Sequence, residues 1–126
     1  MTTGGTDTDL FPDALFHLDA DRRLLAVNRA VTELTGFRGD DLIGRPAGEA
    51  LNCHTADGRA LLVDGWPRAA RLRSVRAIPE HEVVMRAADG SDVVTLVTGT
   101  YQRDVDGRVV GAVVAARDAS RRRAGP

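Results

Sequence analysis

Residues 82–118 read EVVMRAADGSDVVTLVTGTYQRDVDGRVVGAVVAARD. Three β-rich runs, Glu82–Ala87, Asp92–Tyr101 and Arg108–Ala116, are separated by Asp89-Gly90 and Asp106-Gly107. Asp-Gly between runs rich in Val and Thr is a strong hairpin signal, because glycine supplies the positive φ that such turns need. The segment therefore predicts a three-strand antiparallel meander. Its apolar runs, Val93-Val94-Leu96-Val97 and Val109 to Ala116, do not alternate as a strand with one wet face should. We expect the outer face of the sheet to be covered by a second copy of the chain or by a flanking helix.

Upstream, Ala14, Phe16 and Leu18 alternate with Leu15, His17 and Asp19, the period-2 pattern of a half-buried strand. A polar turn, Ala20 to Arg23, leads to a second short strand at Leu24–Val27. Asn28 then stands where a helix N-cap belongs, ahead of Ala30, Val31 and Leu34 at helical spacing, with Gly36 as a left-handed C-cap. Short helical turns follow around Asp40–Gly44, whose paired Asp40 and Asp41 suit a helix start, and after Pro46. Asn52 to Gly65 holds turn signals at Asp57-Gly58 and Asp64-Gly65. Pro67 opens the longer helix expected over Ala69, Ala70, Leu72 and Val75. The sum is an α+β domain: about five antiparallel strands with several short helices and one longer helix on one face.

With 126 residues there is room for one domain and for no catalytic output beside it. The expected boundaries are a flexible leader over 1–9, the domain over 10–120, and a tail or start of an output linker over 121–126. Hydrophobic residues at 43% and charged residues at 28% fit a globular chain, and no apolar run approaches the ~20 residues of a membrane helix. With no signal peptide and a single cysteine, the expected location is the cytoplasm. All 17 basic residues are arginine, a compositional bias of the kind a GC-rich genome imposes. A net charge of −1 argues against nucleic acid and anionic membrane as partners. Arg121, Arg122 and Arg123 read as a solvated tail, and Arg68, Arg71 and Arg73 as an exposed helix face in preference to an anion site.

The element order and the residues in it resemble a PAS domain, the sensor module common in bacterial signalling proteins. The resemblance is densest from Asp13 to Arg45, through Asp19, Leu24, Asn28, Leu34, Thr35, Gly36, Phe37, Leu42, Ile43 and Gly44. Trp66, Pro67 and Leu72 resemble the start of the family's long helix, and Glu82, Asp89, Gly90, Asp106 and Gly107 its second half. Asp118 and Ser120 are similar to the ending at which the family hands over to an output helix. The resemblance implies a ligand pocket between sheet and helices, lined by Phe16, Leu18, Val31, Leu34, Leu42, Leu51, Leu72, Val84, Val97 and Val113. Every one of these is apolar, so either the implied ligand is an apolar small molecule or the same residues simply form a filled core. The resemblance also implies an output domain or partner protein as receiver of the signal, while the apolar outer runs above lead us to expect a homodimer through the outer sheet face.

Three cofactor classes known in the family do not match this sequence. Flavin-binding members carry an Asn-Cys pair much closer to the glycine matching Gly44, whereas Asn52-Cys53 lies further on and is followed by His54, Thr55 and Ala56. Photoactive yellow proteins also carry one cysteine, but hold a buried phenolate with Tyr and Glu where this chain has Val27 and Val31. Haem-binding members place a histidine on the long helix, and His17, His54 and His81 all lie elsewhere. No cofactor and no metal are therefore expected, and Cys53 reads as a small inert residue. Ser74, Ser91 and Ser120 have no neighbouring base, so no catalytic constellation is legible. The expected function is a sensory or regulatory module without enzymatic activity; the alternative is a ligand-free dimerisation or docking domain.

Overall fold

The computed structural model describes residues 9–62 and 65–119. Residues 1–8 of the expected leader, Asp64, Ser120 and the arginine tail lie outside the described residues, whereas Asp9, the leader's last residue, is described. Strands β1 (Ala14–Asp19), β2 (Leu24–Val27), β3 (Ala77–Arg86), β4 (Asp92–Arg103) and β5 (Val109–Asp118) form one antiparallel sheet in the order β2-β1-β5-β4-β3. Between β2 and β3 come α1 (Arg29–Thr35), α2 (Gly39–Leu42), α3 (Ala47–Ala50) and a 3₁₀ turn at Arg68–Arg71. The five-strand α+β reading and the order of the strands and short helices hold.

Three hairpins use one turn. In Asp19–Arg23, Ala87–Ser91 and Asp104–Arg108 the first N–H donates to the fifth carbonyl and the fourth N–H to the first carbonyl. The fourth residue is left-handed in each: Arg22 (φ 63°), Gly90 (φ 88°) and Gly107 (φ 83°). This is the three-residue loop closed by a residue in the αL region, which explains why Asp-Gly marks two of the three. At the first hairpin Asp19 Oδ1 accepts from the N–H groups of Asp21 and Arg23, holding the turn without a glycine.

Two expectations need correction. Asn28 precedes α1 with extended backbone, but its side chain makes no cap hydrogen bond. Its Oδ1 accepts from Leu15 N–H (2.9 Å) and its Nδ2 donates to the Asp13 carbonyl (3.0 Å), clamping the start of β1 from a buried position. The carboxylate that serves the helix start is Asp9, whose Oδ1 accepts from Arg29 N–H at 2.7 Å. The longer helix after Pro67 is also absent: only Arg68–Arg71 turns, and β3 begins at Ala77. The segment is drawn into the sheet instead: Ala77 pairs with Thr100 of β4, Pro79 has no N–H to extend a helix, and the Arg103 guanidinium donates to the carbonyls of Leu72 and Val75.

The core gathers on the face of the sheet under α1, α2 and α3, with Leu24, Val31, Leu42 and Leu51 almost fully buried. The roof over that face is sewn to the strands by backbone bonds. Leu24 N–H donates to Arg45 O and Gly44 N–H to Leu24 O, while His54 and Val84 exchange both of theirs.

Because Asn28 acts through both amide atoms, Asn28→Asp and Asn28→Ala should each destabilise the fold by about 1–3 kcal/mol in urea unfolding. A simple N-cap would accept Asp without loss. An Asp variant as stable as the parent would refute the clamp.

Candidate functional site

A cavity of about 130 Å³ lies between the sheet and the roof. Phe16 and Leu18 of β1, Val83 and Met85 of β3, Val97 and Tyr101 of β4 and Val114 of β5 form its floor. Ala47 and Leu51 at α3, then Cys53, Leu61, Leu62, Trp66 and Pro67, form its cover, and Ile78 and His81 complete the wall. His81 is exposed; its Nδ1 donates to Pro79 O at 2.9 Å. The lining is otherwise almost wholly hydrocarbon, aromatic ring and thiol.

Of the residues expected to line a pocket, Phe16, Leu18, Leu51 and Val97 do so. Val31 and Leu42 are fully buried and Leu34 partly so, all packed in the helix-side core away from the cavity wall. Leu72 is 59% exposed, because the helix that would have turned it inward is not formed. Val84 and Val113 are one residue out of phase. Successive strand residues point to opposite faces, and it is Val83, Met85 and Val114 that face the cavity. Val113 consequently sits on the outer face, 39% exposed. Asp118 is the last residue of β5, paired opposite Thr95.

Sequence reasoning missed the aromatic corner. Trp66 stands edge-on to Tyr101, with ring centroids 6.1 Å apart and planes at 89°, a favoured aromatic geometry. The indole Nε1 donates to Ala20 O at 3.0 Å, fixing Trp66 to the β1–β2 turn. The only available signal was that buried aromatics in a chain with so few of them must pack somewhere. Burial pushes the Tyr101 phenol up, an effect that the Arg103 charge partly offsets.

Cys53 also lines the cavity. Its thiol is 5% exposed, donates weakly to Ala47 O at 3.7 Å, and is pushed by burial from near 9 up to about 12. Among the described residues, no three His, Cys, Asp or Glu side chains cluster as metal ligands would. No helix there is long and apolar enough to cross a membrane. His17 faces away from the cavity, its Nε2 hydrogen-bonded to Gln102 Oε1 at 2.8 Å.

A family model described as the PAS fold matches residues 8–124. The chain belongs to the PAS family. Among solved structures, a PAS domain from Colwellia psychrerythraea superposes with a TM-score of 0.71 at 18% identity, covering 90% of this chain and 91% of that one. The PAS domain of nitrogen regulation protein NR(II) from Vibrio parahaemolyticus gives 0.66 at 16% identity, over 94% and 99%. The PAS domain of a LuxR-family transcriptional regulator from Burkholderia thailandensis, solved in complex with ethanol, gives 0.63 at 18% identity, over 91% and 96%. These likenesses concern the fold. No curated protein matches the chain.

The buried thiol makes this PAS domain's stability pH-dependent. The unfolded chain ionises Cys53 near 9 and the folded one near 12, so stability falls as pH rises through that interval. Unfolding free energies from urea denaturation between pH 8 and 10.5 should decline with a slope approaching about 1.4 kcal/mol per pH unit, less steeply in Cys53→Ala. An identical decline in both proteins would show the thiol to be solvated.

Proposed function

We propose that this PAS domain is a non-catalytic sensory module whose cavity takes a small apolar molecule and whose strand β5 carries the response outward. The observation that supports this most directly is the cavity's size and lining. An apolar void of about 150 Å³ in another protein stays dry and admits benzene, so about 130 Å³ lined by Phe16, Leu18, Leu51, Val97 and Val114 suits a ligand of that size or smaller. A charged or strongly polar ligand would find little there to replace its lost water.

β5 is the conveyor in this reading because its two faces see different things. Val114 lines the cavity, Val113 is exposed on the outer face, and the strand runs on to Asp118. Ala119 N–H then donates to Val94 O, keeping the exit of β5 on the sheet. A ligand that displaces Val114 moves the same strand from which the chain leaves. Asp118 is thus the described residue at which an output partner or following segment would receive the change.

The outer face supports the accompanying proposal that a second copy docks there. Leu15, Val94, Leu96 and Ala115 are only half-buried, and Val113 more exposed still. Their neighbours include the Arg117–Glu80 pair at 2.9 Å, a polar border of the kind seen around apolar interface centres. The reading keeps haem, flavin and covalent chromophore out of the cavity: the sequence lacks their matching residues, and a protonated Cys53 is a poor nucleophile.

Native mass spectrometry of protein purified from a native-like host should show a stoichiometric low-mass adduct, absent in the cavity-filling variant Val97→Phe. Bare protein throughout, with no thermal shift from benzene-sized ligands, would overturn the sensory reading in favour of a docking domain. Leu51→Ala should destabilise by about 2–5 kcal/mol. In size-exclusion chromatography with light scattering, the parent should dimerise at micromolar concentration and Val113→Arg should not. A strictly monomeric parent would refute the docking face.

A further inference from the structure

A second cavity, of about 450 Å³, opens beside the first. Three separated parts of the chain bring guanidinium groups to it: Arg22 from the β1–β2 turn, Arg71 and Arg73 from the segment after Trp66, and Arg103 and Arg108 from the β4–β5 hairpin. The one carboxylate in the lining is Asp106. In a chain of net charge −1, five cations around one concavity with one counter-charge form a local concentration of positive potential. Among the described residues, none of the five is in an ion pair; the two ion pairs present, Arg86–Asp92 and Arg117–Glu80, involve other residues.

Two of the groups are also incompletely satisfied. The Nε atoms of Arg22 and Arg103 are buried without a hydrogen-bond acceptor. Arg103 donates to the carbonyls of Gly107, Leu72 and Val75 and lies over the Tyr101 ring, 5.9 Å from its centroid, so its charge meets neutral groups and no carboxylate. Arg73 lies across Gly107, where the missing side chain leaves it room. Clustered like charges are costly, and a bound anion removes that cost. Guanidinium groups are moreover suited to the paired oxygens of phosphate and carboxylate.

We propose that this cavity binds a small, multiply charged oxyanion, of the phosphate or polycarboxylate class. The site is separate from the apolar cavity, and the case for it does not rest on what the latter holds. Trp66, the only tryptophan, lines both.

Titration of the full chain with pyrophosphate, and separately with citrate, in low-salt buffer tests this through Trp66 fluorescence and calorimetry. At least one anion should bind saturably at one per chain, the tighter one assigning the class. Arg71 and Arg73 are exposed. Arg71→Ala and Arg73→Ala should each weaken binding about tenfold, the loss of one charged hydrogen bond. Arg59→Ala, in a turn outside the cavity, should leave it unchanged. If the alanine variants fail to fold, Arg73→Lys keeps the charge, loses the fork and should still weaken binding. No saturable binding of either anion, or equal weakening by Arg59→Ala, would overturn the proposal.

Discussion

The pairing of β1 with β5 is the constraint on which the rest of the molecule depends. It runs from Ala14 opposite Ala116 to Asp19 opposite Gly111, and joins the first hairpin to the C-terminal meander in one sheet. The fit is close enough to dictate residue type. A Cβ on Gly111 would stand 2.5 Å from Leu18 O, and one on Gly99 2.6 Å from Val113 O. Any side chain at either position would have to push neighbouring backbone aside. With β5 seated between β1 and β4, Phe16, Leu18, Val97 and Val114 come together on one face. No two of them from different strands are close in sequence, so the cavity exists only once that long-range pairing is made.

Much of this was legible beforehand for local reasons. Turn residues announce themselves, so the meander and the first hairpin were placed within a few residues. Strand phase was another matter. In Glu82–Ala87 and Val109–Ala116 consecutive residues are apolar, and without alternation the sequence gives no reason to prefer Val83 over Val84 or Val114 over Val113. Asn28 could be placed but not understood, since a residue suited to capping is equally suited to bridging two backbone groups of a strand. The segment after Pro67 is held by Arg103, 28 residues beyond Val75, and by the pairing of Ala77 with Thr100, contacts that no local pattern reveals. Cys53 and Trp66 were noticed as single residues, but their shared cavity is a product of tertiary structure.

Arginine was the composition's one oddity, and it looked like a mark of origin. Seventeen arginines scattered by codon bias would be expected to find carboxylates or water, and Arg117 with Glu80 does. Five of them instead converge from three parts of the chain, with two Nε atoms buried and unanswered. Bias supplied the residue type; the fold decided where the charges meet.

The shared position of Trp66 has a thermodynamic corollary. One indole walls both cavities, and it is anchored by its Nε1 to Ala20 O and packed at right angles against Tyr101. A side chain so pinned cannot yield on one side without altering the space on the other. Two ligands occupying the two sides would therefore be linked, each changing the other's affinity by the same factor. The sign of that coupling is set by whether the indole position one occupant favours is also the one that suits the other.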